Sequence, residues 1–354
     1  MQNNKRVEMN RLNYIGCKYS LFDTLLPIFE NTIPDLASKT FSDPFMGTGI
    51  VAFMMQKKCK KVIANDIEQY SFVIGNAVLC CNYSDRLATF IEECNDLEEV
   101  EGLIYKHYSP HETCGRMFFT NENARKADAI RMYIQQMLTD QIITQSEYYF
   151  LLASLLTSID KVANTSAVYG AYLKEYKTSA KKKMIFTPIH TDRHLNKENE
   201  MINGLAEDIC GDQKADITYL DPPYNQRSYN SNYFVLNFIV LYDETIEPRG
   251  VTGLFDSPTN HKSDFCSKVK IVNVFQTLID RISSRYIVLS YNDEGLLSFD
   301  QLREILLKKG DTTLHKIAYA KFKAQQNVDK KFVCEYVWVV DTHSKTNRFT
   351  ETPF

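Results

Sequence analysis

The tetrapeptide Asp221-Pro222-Pro223-Tyr224 follows a β-rich run of Ile217, Thr218, Tyr219 and Leu220. Each proline fixes φ at about −65° and offers no backbone N–H. Each residue before a proline is pushed into extended geometry. The chain therefore leaves the strand on a stiff, kinked backbone, at the sheet edge where open α/β sheets bind ligands. That frame presents a carboxylate (Asp221), a backbone carbonyl (Pro222) and an aromatic face (Tyr224). Two acceptors and a stacking ring suit a planar ring that carries an exocyclic amino group. The amino group of adenine is a poor nucleophile, because its lone pair is delocalised into the ring. Accepting hydrogen bonds from both of its N–H groups favours a pyramidal nitrogen with a localised pair. Such activation is geometric and electrostatic and needs neither a covalent intermediate nor a metal. A base in a duplex must leave the stack to reach this cradle, and aromatic sandwiching supports it there. The plainer alternative is a strand-ending turn with an aspartate cap.

A second constellation is Asp43-Pro44-Phe45-Met46-Gly47-Thr48-Gly49, at a strand-to-helix turn. The glycines permit a tight turn and close approach of backbone to a ligand. No Lys-Ser/Thr follows, so this is not a triphosphate loop, and the G-x-G-x-x-G dinucleotide pattern is incomplete. Asp66, 17 residues after Gly49, ends the next strand, where a carboxylate can accept hydrogen bonds from a ribose diol. A nucleoside-bearing cofactor without a pyrophosphate fits these features, and S-adenosylmethionine is one.

These groups need elements to position them. Helical spacing of Leu21, Leu25, Leu26 and Phe29 predicts a helix over 20–34. A strand ending near 42, the glycine turn, a helix and a strand (Val62–Ala64) form a βαβ unit, hence a parallel sheet. Helices follow to about 105 with a break near 82–85, and two more are predicted within 123–138 and 147–164. Strand character returns at 215–220, then a helix over 266–282, a strand over 286–291, a helix over 298–309 and strands over 314–321 and 333–341. The fold class is α/β, a Rossmann-like sheet carrying a largely helical insertion. Residues 1–84 and 201–354 read as the sheet-bearing, cofactor-binding domain. Residues 85–200 read as the helical, basic insertion.

Composition bounds the rest. A chain of 354 residues holds two or three domains, or one large α/β domain with an insertion. The net charge of −3 excludes a uniformly basic nucleic-acid binder but leaves room for a local basic patch. No apolar run reaches the roughly 18–20 residues that span a bilayer, and MQNNKRVEMNRLNY carries no apolar secretion segment. The nine cysteines form no C-x-x-C pair. This argues against a zinc site or a disulfide framework and for reduced thiols in a cytoplasmic protein.

The pairing of DPFMGTG with a later DPPY resembles the adenine-N6 DNA methyltransferases. NYIGCKYSL (13–21), FFTNENARKADAIR, SIDKVANTSAVYGAYLK, DPPYNQRSYNSNYFVLNFIVLYD, YIVLSYNDEG, KFKAQQN and EYVWVV extend the resemblance toward methyltransferases of restriction–modification systems. The resemblance implies S-adenosylmethionine as cofactor. Asp43, Pro44, Phe45, Gly47 and Gly49 would line its methionine and ribose side, with Tyr14, Gly16 and Lys18 from the N-terminal motif, Lys18 near the carboxylate. Asp66 would bind the ribose hydroxyls, and Asp208 the adenine amino group of the cofactor. Asp221, Pro222, Pro223 and Tyr224 would hold the target base. The insertion would recognise the target in double-stranded DNA, and a cognate restriction endonuclease would be encoded separately. Oligomeric state stays open.

Lys181, Lys182 and Lys183 read as phosphate contacts or as a solvated face, and their place in the insertion favours DNA. Lys161 belongs to the same group of candidates. Arg227, Tyr229, Asn232 and Tyr233 follow the catalytic motif, where a loop covering a flipped base would lie. Other chemistries are weaker. Cytosine-N4 methylation usually has Ser in place of Asp221, and glutamine methylation Asn. Methylation of RNA adenine stays open. A cytosine-C5 enzyme needs a cysteine nucleophile, and none lies beside Pro222 or Pro223.

Overall fold

Short apolar segments bounded by turns assemble into one eight-stranded sheet in the computed structural model, which describes residues 9–111, 113–196, 198–212, 214–226, 229–256, 263–320 and 332–352. The strands are β1 (Thr40–Asp43), β2 (Lys61–Asn65), β3 (Glu200–Ile202), β4 (Ile217–Leu220), β5 (Tyr286–Asn292), β6 (Asp311–Ala320), β7 (Phe332–Asp341) and β8 (Phe349–Thr352). Their order is β3-β2-β1-β4-β5-β7-β6-β8. Strands β3 to β5 run parallel, and β7 enters antiparallel between β5 and β6. All four residues of β4 and all seven of β5 are buried. Both faces of the inner strands are therefore covered, which is why they read as continuous apolar runs rather than alternating ones.

The chain divides into two compact units. The sheet unit comprises Cys17–Ile67, Glu198–Tyr229 and His261–Phe354. Its helices are α1 (Phe22–Thr32), α2 (Ile50–Met55), α8 (Ala206–Asp212), α10 (Ile271–Arg281) and α11 (Phe299–Lys309). Phe275, Leu278, Ile279, Leu302 and Leu306 of α10 and α11 pack on Ile287, Leu289, Trp338 and Val340 of β5 and β7. The side chain of Ser298 accepts from Gln301 N–H and the Gln301 side chain answers the Ser298 N–H, a capping box that fixes the start of α11.

The helical unit comprises Met1–Gly16, Glu68–Lys197 and Asn230–Asn260. It holds α3 (Gln69–Cys80), α4 (Asp85–Asp96), α5 (Leu103–Tyr108), α6 (Asn121–Thr139), α7 (Gln145–Asp160) and all but the first residue of α9 (Tyr229–Leu241). Twelve residues of α7 are buried, so it runs through the middle of this unit, and Thr144 with Glu147 caps its start by the same reciprocal bonds. The unit takes in α3, which precedes residue 85, and α9, which follows the double proline.

Four elements go beyond or differ from expectation. β3 and β8 are strands of three and four residues with half-exposed faces, too short for an alternation signal. Residues 229–241 are helical, with a kink at Tyr233 (φ −131°, ψ 19°). α10 starts at Ile271 rather than 266, because Asp264–Cys266 forms a separate 3-10 turn.

Candidate active site

Two strand ends of the sheet unit bring the acidic groups together. β1 delivers Asp43, and the chain then turns through Gly47 (φ 55°) and Gly49 (φ 74°) into α2. These left-handed conformations are what the two glycines supply, since a Cβ is strained there. The turn is held from β2. Asn65 O accepts from Met46 N at 3.0 Å, and Asn65 Nδ2 donates to Pro44 O at 3.0 Å and to Gly204 O at 3.1 Å. Asp66 Oδ2 accepts from Gly47 N at 2.7 Å, which ties the expected ribose ligand to the glycine turn. Phe45 packs edge-on against Phe265, with ring centroids 5.1 Å apart.

β4 delivers the second motif. Asp221 leaves the strand, Pro222 is buried, and Tyr224 packs on the apolar cluster that includes Phe265 and Tyr291. Leu296 N donates to Tyr224 O at 3.1 Å, fixing the far side of the kinked tetrapeptide. The Lys18 ammonium, buried at 5% exposure, donates to Asp221 Oδ1 at 2.8 Å and lies 3.3 Å from Glu335 Oε1. Ser290 Oγ of β5 donates to the same Glu335 oxygen.

The electrostatics follow from Asp221 and Glu335 on one ammonium, with Asp43 close enough to feel Asp221, Asp66 and Lys18. Burial, aided by Glu335 and opposed by Lys18, raises the Asp221 carboxyl to about 6. Asp43 is held well above the usual carboxylate range by burial and then by Asp221 and Asp66. Its Oδ1 is buried and has no hydrogen-bond partner. Burial alone would lower the Lys18 ammonium, but Asp221 and Glu335 hold it well above its ordinary value. Burial also pushes the Tyr224 phenol up.

The remaining predicted residues lie elsewhere. Asp208 is on α8, with a side chain 67% exposed and 3.6 Å from the Arg281 guanidinium. Tyr14 belongs to the helical unit, where it stacks on Tyr233 with centroids 4.4 Å apart and meets the Tyr70 hydroxyl at 3.1 Å. Gly16 has φ 80° at the end of that segment. Lys161 donates to Asn10 Oδ1 at 2.8 Å and Thr187 Oγ1 at 3.2 Å. Lys181, Lys182 and Lys183 are exposed, on a turn anchored by Asn123 Nδ2 bonding to Lys182 O at 2.9 Å. Arg227 lies outside the described residues, and Tyr229 opens α9. Asn232 and Tyr233 are a correction. Tyr233 is fully buried and its hydroxyl accepts from Ile15 N at 2.8 Å, while Asn232 is 7% exposed. Both are packing residues of the helical unit rather than a surface for DNA.

Two functional candidates escaped the sequence reading. Glu335 sits in β7 opposite Asn292 of β5, a juxtaposition made by sheet register alone. In the helical unit, Asn237 of α9 accepts from Tyr70 N at 3.1 Å and donates to Glu68 Oε2 at 2.6 Å. A charged residue inside EYVWVV and an amide inside FVLNFIVL were the available signals.

The sheet order, with its antiparallel β7 inserted beside a parallel array, and the glycine turn after β1 define a Rossmann-like methyltransferase fold. Residues 14–305 match the family described as D12 class N6 adenine-specific DNA methyltransferase, and the chain belongs to that family. It is 41% identical over 325 residues to the type II methyltransferase M.NlaIII of Neisseria lactamica, covering 90% of this chain and 95% of that protein. It is 40% identical over 336 residues to the type II methyltransferase M.CviAII of Paramecium bursaria Chlorella virus 1, covering 94% and 99%. Type II methyltransferase M.FokI of Planomicrobium okeanokoites is 34% identical over 93% of this chain, which spans 52% of that longer protein. The protein is thus an adenine-specific DNA methyltransferase of the restriction–modification type. No helix among the described residues is long and apolar enough to cross a membrane.

Proposed function

We propose that the protein transfers a methyl group from S-adenosylmethionine to the N6 amino group of an adenine extruded from a short specific sequence of duplex DNA. The observation that carries the reading is the excess of carboxylates over cations around the glycine turn and the DPPY strand end. Asp43, with an unpartnered buried oxygen, feels the charges of both Asp221 and Asp66, and that crowding of like charge favours a cationic ligand. A sulfonium cofactor with an α-ammonium group fits that preference. When bound, it supplies an electrophilic methyl carbon and takes back the C–S bonding pair.

The protein's own groups do the rest. The Gly47–Gly49 turn admits the cofactor's methionine and ribose side close to the backbone. Asp66, already held to that turn by Gly47 N–H, receives the ribose hydroxyls. Asp43 offers its unpartnered oxygen to the cofactor's ammonium, and Asp208, which remains two-thirds exposed, is assigned the adenine amino group. Asp221 and the Pro222 carbonyl accept the two N–H bonds of the target base, and Tyr224 covers its ring. As the methyl group arrives, positive charge grows on N6; the Asp221 carboxylate offsets it where water is scarce, and the surplus N6 proton then leaves to solvent. The helical unit, with exposed Lys181–Lys183, is assigned to the duplex and to target recognition. Methylation of this kind protects the site from a nuclease encoded apart from this chain.

The test is transfer of radiolabelled methyl from S-adenosylmethionine to mixed-sequence duplex DNA, followed by nucleoside analysis. Label is expected in N6-methyladenine, with a loss of about a thousandfold or more in Asp221→Ala and retention of cofactor binding. Label in N4-methylcytosine, or in RNA and not DNA, overturns the assignment of the acceptor.

A further inference from the structure

Glu335 has no role in the reading above, yet it is among the most thoroughly buried charges of the sheet unit, at 2% exposure. It lies beyond residue 305, outside the stretch that matches the family. β7 is paired on both sides, with Glu335 opposite Asn292 of β5 and Ile317 of β6. Its Oε1 takes the Ser290 hydroxyl and lies 3.3 Å from Lys18 Nζ, the same atom that donates to Asp221 Oδ1 at 2.8 Å. One ammonium therefore serves two carboxylates.

The bookkeeping of charge decides what this does. Alone with Lys18, Asp221 would form a neutral pair, and a neutral pair answers a developing cation poorly. With Glu335 as third member the cluster carries one net negative charge. We propose that Glu335 is a positioning residue that shares Lys18, so that Asp221 faces the target amino nitrogen from an anionic cluster instead of a neutral ion pair. The inference rests on the assignment of Asp221 to the amino group made above. Charge enters N6 as the methyl carbon leaves sulfur, so the gain is larger in the transition state than in the bound ground state. Other groups face Asp221. Tyr219 comes from β4 itself, Asp43 from β1, Lys18 from the segment before α1, and Tyr224 from the loop that follows β4. Only Lys18 is cationic among these.

Burial is the first cause that raises the Asp221 carboxyl, Lys18 lowers it and Glu335 raises it. Glu335→Gln keeps the Ser290 acceptor and removes the charge. The acid limb of the rate–pH profile should then move to lower pH, since Lys18 serves Asp221 alone. Single-turnover methyl transfer at pH 8 should fall about tenfold or more, with the KM for DNA within about twofold of wild type. Glu335→Asp, which restores the charge, should recover part of the rate. A fall in rate without a shift of the acid limb would mean that Glu335 is only a strand-packing residue and would overturn the proposal. Carboxyl NMR of aspartate-labelled protein, with the Asp221 signal identified by its loss in Asp221→Asn, reads the same coupling without DNA. An Asp221 titration unmoved in Glu335→Gln sinks the inference whatever the substrate. A moved titration in a protein that methylates no adenine leaves the coupling standing and sinks the acceptor assignment.

Discussion

The two units bury carboxylates of nearly equal acidity in opposite ways. In the helical unit, Asp128 accepts from the N–H groups of Gly102, Ile104 and Tyr105 at 3.1, 2.9 and 2.8 Å and from Tyr242 OH at 2.6 Å. Asp160 accepts from Asn13 N, Asn13 Nδ2 and Tyr169 OH at 2.7, 2.9 and 2.8 Å. In the sheet unit, Asp221 is bonded to Lys18 and Asp43 keeps an orphaned oxygen. Burial raises Asp128, Asp160 and Asp221 alike to about 6. A perturbed carboxyl therefore does not mark a functional site here. The inventory of partners does. Asp128 and Asp160 spend their lone pairs on neutral donors that hold loops to helices, and no ligand is needed to complete them. The acids of the sheet unit crowd like charges together around one lysine, and Asp43 keeps a buried oxygen without a hydrogen-bond partner among the described residues.

Breaking that contrast starts with the ammonium. Lys18→Met leaves Asp221 and Glu335 buried without their common partner, and removing one partner of a buried ion pair costs about 3–5 kcal/mol. Urea unfolding should show that loss, and a loss under about 1 kcal/mol would mean that the cluster is already neutralised by other means. Asp128→Ala strips the acceptor from three backbone N–H groups and a phenol. Stability should fall by roughly 3 kcal/mol, while methyl transfer per folded molecule holds within about twofold. An equal fall in turnover would give the helical acid a catalytic part and erase the distinction.

The smallest effect is a pH dependence. The folded Asp221 carboxyl is raised above its unfolded value, so its contribution to stability is full below about pH 4 and is lost as pH rises through about 6. Asp221→Asn does not suffer that loss. Its stability relative to wild type should therefore rise between pH 4 and 7, by on the order of 2 kcal/mol. Chemical unfolding at several pH values measures the difference, and a flat difference would mean that Asp221 titrates normally when folded.

What was legible in the chain was local chemistry at strand ends. Prolines stiffen the exit at 222–223 and glycines open the turn at 47 and 49 whatever surrounds them, so both motifs and the strands before them could be read directly. Glu335 could not be placed that way. Its neighbours Lys18, Ser290 and Asn292 are distant in sequence; the β5–β7 register brings the last two, and the packing of the segment before α1 brings Lys18. Asn232 and Tyr233 were misjudged for the converse reason. Proximity in sequence to the DPPY motif suggested DNA, whereas the apolar run Phe234, Val235, Leu236, Phe238 and Ile239 drives that stretch of α9 inward. Asp128 and Asp160 gave no signal at all, since their partners are backbone N–H groups, two phenols and the Asn13 amide, which the tertiary fold brings to them.

The placement of β7 also has a consequence for biosynthesis. A strand that enters between β5 and β6 cannot be added to a finished edge, so β6, though made earlier, has no partner in the inner sheet until β7 arrives. Translation supplies residues at roughly 5–20 per second and domains fold as units. A nascent chain that has exposed both sequence motifs but not residues 332–341 thus lacks Glu335 and an interior strand. Such a chain already carries the paired DPFMGTG and DPPY motifs, while the buried Lys18 still waits for its second carboxylate.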